Sequence, residues 1–264
     1  MLRLTMNREW DMDDHAIIEQ VVERLRSEFG NELLGVLVGG SRMRSEGDPH
    51  SDIDVVVVVD RPCRKRWNFV IGGVEVETLI NPPFQMRRYF EEEWQDGRGV
   101  MPHLCSTGRI LFDPQGLMAS LQAEAHAVWD AGPPPLSDRE RWQFRYHAAD
   151  LLRDLADVET SDKERAVFLI GLILPTVVNQ HYRITGRWLS KPKGLFNDLQ
   201  DWDTNAARLA RQACNDKANS SERCAAVRAL VDHILAPLGG IMPMEWNTEW
   251  ELLEPPNAKL NSGA

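Results

Sequence analysis

The stretch VLVGGSRMRSEGDPHSDIDVVVVV, residues 36–59, holds two apolar runs separated by glycines and a polar loop. The runs over 33–38 and 53–59 are continuous and rich in branched residues, which predicts two buried strands. Gly39-Gly40 lacks side chains, so the backbone there can approach a ligand closely. Ser41 lies where a helix would begin, and its hydroxyl with the free amides of the first turn can bind phosphate.

Two aspartates, Asp52 and Asp54, open the second of these strands, with ten residues between Ser41 and Asp52. Residues two apart in a strand point to the same face, so the two carboxylates are close together and repel one another. A divalent cation between them relieves that repulsion, and hard oxygen ligands together with phosphate suit Mg²⁺. A third acid is expected from a neighbouring strand, where the sequence offers Glu75 and Glu77.

The sequence on either side of this stretch alternates between helical and strand patterns. Apolar residues at helical spacing precede it, and Gly72-Gly73 between two apolar runs predicts a hairpin. A basic cluster, Arg61 with Arg64 to Arg66, is expected in an exposed loop before that hairpin. The predicted elements are helices at 14–29, 83–95 and 114–130 and strands at 33–38, 53–59, 67–72, 74–80 and 109–112.

The run Gly132-Pro133-Pro134-Pro135 ends the alternating pattern, because consecutive prolines stop a helix. After it the patterns are helical, with no convincing strand, and Ser137 or Asp138 can cap the first helix. The second of these helices carries Pro175, where we expect an interruption. The expected helices lie at about 138–159, 162–184, 203–217 and 220–236. The fold class is therefore α+β, with predicted domains at 1–132 and 133–253 and a flexible tail at 254–264.

The set Gly40-Ser41, Asp52-Ile53-Asp54 and Glu77 resembles the polymerase-β-type nucleotidyltransferase superfamily. The hallmark of that superfamily is a Gly-Gly or Gly-Ser turn, a spacer of about ten residues, Asp-x-Asp, and a third carboxylate on a later strand. The resemblance covers residues 30–113. We place the third acid at Glu77, because its strand is similar to the corresponding strand of bacterial members, and Glu75 is the alternative.

The resemblance implies an enzyme that transfers a nucleoside monophosphate from a nucleoside triphosphate to a hydroxyl, in a catalytic domain over 1–132 with a mixed sheet flanked by helices. In that family two Mg²⁺ ions bind the acids and the triphosphate. The implied metal ligands are Asp52, Asp54 and Glu77. The implied nucleotide contacts are Gly39, Gly40 and Ser41, with Arg42 and Arg44 as further phosphate contacts or, equally well, solvated arginines on a helix.

A domain of this type followed by a helical bundle is similar to the aminoglycoside adenylyltransferases, which implies ATP as donor and a role in antibiotic resistance. In those enzymes a glutamate late in the first domain is the general base, which points here to Glu93. The alternative is three solvated glutamates on a helix, Glu91 to Glu93. Family members also close a basic residue over the triphosphate, which points to Lys193, then Lys191, although a plain basic loop explains both equally well.

Charge and composition restrict the classes of molecule that we expect this protein to bind. The 264 residues carry 30 basic and 40 acidic side chains, a net charge of −10, and 22 of the acids lie in residues 1–132. Such a balance disfavours general nucleic-acid binding and suits a small cationic acceptor. The four cysteines form no CxxC pair, which predicts reduced thiols in the cytoplasm. No uncharged apolar run reaches about 18 residues, so we expect no membrane span.

Two other functions remain open at this point. One is a nucleotidyltransferase toxin or regulator that modifies tRNA or protein, and the other is a non-catalytic nucleotide-binding module. The complete acid set argues against the second. The helix expected at 162–184 is apolar nearly all round, which fits either the centre of a bundle or a homodimer interface.

Overall fold

The computed structural model describes residues 12–40 and 52–249, with side chains from residue 15 onward. By their internal contacts these residues form two units. The first joins Met1–Leu136 to Val178–Trp202, and the second joins Ser137–Val177 to Asp203–Ala264. The sequence pattern predicts one boundary near Gly132, whereas the structure places residues 178–202 with the first unit.

The first unit is built on a mixed five-stranded sheet flanked by helices, which confirms the predicted α+β class. The strand order is β3-β4-β2-β1-β5, with β2 parallel to β4 and every other neighbouring pair antiparallel. The strands are β1 Leu33–Gly39, β2 Ile53–Val59, β3 Lys65–Ile71, β4 Val74–Asn81 and β5 Arg109–Phe112. All five are predicted by the sequence. The hairpin turn at Gly72-Gly73 has φ of +58° and +82°, a backbone that glycine adopts without strain.

Four helices flank this sheet: α1 Met12–Phe29, α2 Pro83–Asp96, α3 Val100–Thr107 and α4 Leu117–Ala131. The sequence predicts three of them and misses α3. This helix has only eight residues, and its N-cap is Gly99, which offers no side-chain acceptor. The amide of Met101 is instead satisfied by Glu93 from α2, and local sequence does not reveal such a tertiary contact.

Helices cover both faces of the sheet, which explains the continuous apolar runs in its central strands. β1 and β2 each bury every residue except the second. On one face α1 contributes Val21 and Leu25, both fully buried. On the other face α2 contributes Met86 and α4 contributes Met118, both buried. Burial on both faces fixes the strands that carry the acids in one register.

The remaining helices are α5 Asp138–Val158, α6 Lys163–Ile184, α7 Leu195–Trp202, α8 Thr204–Cys214 and α9 Ser220–Leu235. Within the described residues no strand follows the proline run, as the sequence predicts. Ser137 caps α5 in a capping box with Glu140, which confirms the expected start. The sequence misses α7, a two-turn helix. The predicted tail at 254–264 lies outside the described residues.

Helix α6 runs through Pro175, so the predicted interruption at that residue is wrong. Proline removes one intrahelical hydrogen bond, but the buried side chains of Ile173 and Val177 on either side hold the helix in place. The hydroxyl of Thr176 also donates to the carbonyl of Leu172 at 2.8 Å. By length and composition α6 could cross a membrane, a test that buried core helices also pass, and 44% of its most apolar window is buried.

Candidate active site

The structure brings Asp52, Asp54 and Glu77 together at one end of the sheet. Asp52 directly precedes β2, and the parallel pairing of β2 with β4 sets Asp54 opposite Glu77. One carboxylate oxygen from each residue lies within 4.8 Å of the other two. All three side chains are partly exposed, so a ligand can reach them. Their roles as metal ligands stay predictions, but the grouping itself is a feature of the fold.

Successive residues of β4 point to opposite faces of the sheet. The two glutamates that the sequence offers as the third acid therefore lie on a different face from their buried neighbours. Val76, Thr78 and Ile80 are buried, whereas Glu75 and Glu77 point away from them. Only Glu77 belongs to the acid cluster. Glu75 is exposed and accepts a hydrogen bond of 3.2 Å from the amide of Asn68. The geometry therefore favours Glu77 over Glu75 as the third acid.

The donor set fits a hard divalent cation. Oxygens that ligate one Mg²⁺ at about 2.1 Å lie at most about 4.2 Å apart. The separations in the cluster reach at most 4.8 Å, so small side-chain rotations would suffice to close the site. Three carboxylates held this close together also repel one another unless a cation lies among them. Asp52, Asp54 and Glu77 are thus the residues that would hold the metal.

An arginine from the neighbouring strand already contacts the cluster. The guanidinium of Arg66 donates to Oε1 of Glu77 at 2.6 Å, and the Arg66 side chain is 74% exposed. The expectation that Arg66 lies in an exposed loop is wrong, because β3 begins at Lys65. The two-residue turn at Gly72-Gly73 sets Asn68 opposite Glu77, and that register places Arg66 on the same face.

The predicted glycine turn lies directly beside the acids. Gly39 pairs with Asp54 across β1 and β2. Gly40 has φ of +91°, and a Cβ at this position would lie 2.4 Å from Oδ2 of Asp54. A Cβ at Gly39 would lie 2.5 Å from Cδ1 of Leu104 in α3. Both positions are therefore too crowded for a side chain, and Gly40 also needs the left-handed backbone. The predicted phosphate contacts Ser41, Arg42 and Arg44 lie outside the described residues.

Glu93, the predicted general base, holds the start of α3. Its carboxylate accepts a hydrogen bond of 2.6 Å from the amide of Met101. Burial raises the pKa of Glu93, and the hydrogen bond from Met101 opposes that shift. A raised pKa makes a carboxylate a stronger base, which is compatible with the predicted role, but Oε2 of Glu93 is already engaged by the amide of Met101. The buried thiol of Cys105 nearby has a pKa raised to about 12, mainly by burial and then by the charge of Glu93.

Some of the residues around Glu93 are buried in the core, and others are exposed to solvent. Phe90 is buried, and the indole N–H of Trp94 donates to the carbonyl of Gly132 at 2.9 Å. Glu92 pairs with Arg88 one turn earlier on the exposed side of α2. Of the three glutamates Glu91 to Glu93, Glu91 and Glu92 are therefore exposed, and Glu93 is partly buried.

Residues 183–193, which include the predicted Lys191 and Lys193, carry four basic and no acidic side chains. Arg183 is buried and donates to the carbonyl of Pro134, so it is a packing residue of the first unit. Lys191 and Lys193 are exposed in the segment between α6 and α7. The role of Lys193 toward a triphosphate stays a prediction.

Trp188, from the same stretch, is partly buried and lies parallel to Trp129 of α4. The ring centroids are 5.2 Å apart, the interplanar angle is 6°, and the indole N–H of Trp188 donates to the carbonyl of Trp129. The sequence does not reveal this stack, because 59 residues separate Trp129 from Trp188 and no local pattern links them.

Comparison with known proteins adds one family match. Residues 18–104 match the model of the nucleotidyltransferase domain, a segment that runs from α1 into α3 and contains the acid cluster. The match supports transfer of a nucleoside monophosphate in general terms. Among solved structures, the chain is similar to a nucleotidyltransferase-like protein from Exiguobacterium sibiricum, with 15% identity, 83% of this chain and 75% of that one covered, and a TM-score of 0.49. Comparison with curated protein sequences gives no significant match.

Proposed function

We propose that this protein is a Mg²⁺-dependent enzyme that transfers AMP from ATP to a hydroxyl group of a small molecule. The observation that carries the proposal is the cluster of Asp52, Asp54 and Glu77, with ligand oxygens within 4.8 Å of one another. The cluster lies beside Gly40 and inside the segment that matches the nucleotidyltransferase domain. Neither the spacing of the acids nor the glycine turn alone is as specific as the two together.

In the proposed reaction the oxygen of the acceptor hydroxyl forms a bond to the α-phosphorus of ATP. The bond from that phosphorus to the oxygen bridging the α- and β-phosphates breaks, pyrophosphate leaves, and the hydroxyl proton passes to a base. Bound Mg²⁺ would supply charge neutralisation for the triphosphate and the attacking oxygen. The chain positions the groups that would hold the metal. Paired strands hold Asp54 and Glu77, Asp52 directly precedes β2, and Gly40 leaves room beside Asp54.

The proposed acceptor is a small cationic molecule of the aminoglycoside kind, and the proposed role is antibiotic resistance. The net charge of −10 supports a cationic acceptor, and Glu91 is exposed on α2, where an ammonium group can reach it. The proposed compartment is the cytoplasm, where ATP is present and the four free cysteines would stay reduced.

The test is a transfer assay with α-labelled ATP, Mg²⁺ and the purified protein. Separate reactions contain a panel of aminoglycosides, total tRNA or a protein mixture, each with and without a chelator. We expect the label on an aminoglycoside, release of pyrophosphate, and no product when the chelator is present. Label on tRNA or protein alone would replace the small-molecule acceptor with a macromolecule. Product that persists in the chelator would contradict metal dependence.

A further inference from the structure

A second candidate site lies in the first unit, apart from the acids. A cavity of about 610 Å³ is formed by α3, α4, the C-terminal turn of α6, the segment after it and α7. Its lining includes His103, Trp129, Arg187, Trp188, Lys191 and Asp198. This volume is within the range of small-molecule sites, and aromatic walls with a few polar groups are typical of them.

The aromatic wall of the cavity is held in place before any ligand arrives. Trp129 and Trp188 stack in parallel at 5.2 Å, and the ring of His103 lies 4.4 Å from that of Trp129. Gly99 has φ of +59°, and a Cβ there would lie 2.5 Å from the Trp188 ring, so glycine is what admits the indole. A fixed aromatic wall stacks a planar ligand with little loss of side-chain entropy.

The charges that line the cavity are mainly positive. Arg187 and Lys191 are both exposed, and the guanidinium of Arg187 is held 4.5 Å from the centre of the Trp202 ring. Among the described residues of the lining the one carboxylate is that of Asp198. It accepts hydrogen bonds from the hydroxyl of Tyr182 and, at 3.1 Å, from the indole N–H of Trp202. Two cations and one engaged carboxylate make this a local anion-binding environment in an acidic chain.

Helix α3 connects the cavity to the acid cluster. His103 lines the cavity, and Leu104, the next residue, packs against Gly39 at the end of β1. Gly40 in turn lies against Oδ2 of Asp54. A ligand in the cavity is therefore separated from the acids by one packed helix and the glycine turn.

We propose that this cavity binds a planar aromatic group that carries an anionic substituent. The ring packs against the indole wall, and Arg187 and Lys191 take the anion. Two molecules of the proposed reaction could bring this chemistry: the nucleoside triphosphate, through its base and phosphates, or an aromatic anionic acceptor. Binding is measured without turnover, so the inference does not depend on the transfer reaction.

The first test compares two probes with the same ring and opposite charge, indole-3-acetate and tryptamine, by calorimetry on the full chain without metal. The carboxylate is expected to bind about tenfold more tightly than the ammonium, because each surface ion pair adds a few-fold. The double variant R187Q/K191Q is expected to lose that preference. Its control, R208Q/K217Q, removes the same charge from exposed positions in the second unit and is expected to keep the preference. Equal binding of both probes, tighter binding of tryptamine, or an unchanged preference in R187Q/K191Q would overturn the inference.

A second experiment identifies which molecule of the proposed reaction binds in the cavity. Binding of an ATP analogue with a methylene group between the α- and β-phosphates is measured with Mg²⁺ for the wild type and R187Q/K191Q. Competition with indole-3-acetate and about tenfold weaker binding by the variant would assign the cavity to the nucleotide. Independent binding of both would assign it to the acceptor, and an aromatic anion would then replace the aminoglycoside. A wild-type protein that shows no charge preference but transfers AMP would refute this site alone. A wild-type protein that shows the charge preference but transfers no AMP would refute the proposed function alone.

Discussion

The acid cluster and the aromatic cavity are two regions of one unit with opposite construction. The acids lie on paired strands whose other face is buried, and three like charges are held close together. The cavity takes its cations from the segment after α6 and its ring wall from α3, α4 and that same segment. A site on rigid strands suits chemistry that needs fixed oxygens, whereas a site on helix ends and loops suits recognition. Substitutions in the acid cluster and substitutions in the cavity therefore test the proposed transfer reaction and the proposed ligand binding separately.

The largest expected effect comes from Asp54→Asn, which removes one charge from the acid cluster. Metal-ion catalysis contributes several kcal/mol, so AMP transfer is expected to fall by more than about 100-fold. The measurement is the initial rate of labelled product at saturating ATP and Mg²⁺. Glu75→Gln is the control, since it also removes one carboxylate, and Glu75 shares the strand and face of Glu77 but lies outside the cluster. Its rate is expected to stay within about twofold. Equal losses in the two variants would contradict the distinction between acids of the cluster and an acid beside it.

Gly40→Ala should harm both stability and metal binding. The new Cβ meets Oδ2 of Asp54 at 2.4 Å, and φ of +91° is strained for alanine. We expect a loss of about 1–3 kcal/mol in the free energy of unfolding and weaker Mn²⁺ binding. Gly73→Ala is the control, because φ there is +82° and nothing lies within 4 Å of the new Cβ. Denaturant unfolding should show a loss in both variants, and Mn²⁺ titration should show weaker binding only in Gly40→Ala.

Arg66→Gln should tighten metal binding. The guanidinium occupies Oε1 of Glu77 and adds positive charge beside the acids, yet it is largely exposed and therefore easily displaced. We expect the Kd for Mn²⁺ to fall by a few-fold, about 1 kcal/mol at most. Arg64→Gln is the control, since Arg64 donates to the hydroxyl of Tyr89 and leaves Glu77 untouched. Weaker Mn²⁺ binding in Arg66→Gln would show that the arginine supports the site instead of competing for it.

The smallest expected effect is that of Glu93→Gln on the pH dependence of the free energy of unfolding. Its pKa is raised in the folded state, so the folded chain binds the proton more tightly than the unfolded chain does. The free energy of unfolding therefore falls as pH rises from the unfolded pKa through the folded pKa, and Glu93→Gln should abolish that part of the fall. Denaturant midpoints across this range measure it. Retained AMP transfer in Glu93→Gln supports the role at the start of α3, whereas complete loss with normal folding would restore the general base.

The strands and the proximity of Asp52 to Asp54 are predictable because both depend on local pattern, whereas the choice of Glu77 over Glu75 comes from the resemblance to the nucleotidyltransferase superfamily. Apolar runs, a two-residue glycine turn and an Asp-x-Asp spacing carry period and register in themselves. Helix α3 and the stack of Trp129 on Trp188 depend on contacts between distant residues, and α7 is only eight residues long. At Pro175 the local pattern predicts an interruption that does not occur, because burial of the neighbouring side chains outweighs the effect of proline on the helix.

The central claim is that Asp52, Asp54 and Glu77 hold the metal for nucleotide transfer. The most direct measurement is anomalous diffraction from crystals grown with Mn²⁺ and the methylene ATP analogue. We expect a manganese peak at ligand distance, about 2.0–2.3 Å, from carboxylate oxygens of these three residues, with the phosphates of the analogue on the same ion. A bound analogue with the manganese peak elsewhere, or ligated without these carboxylates, would contradict it.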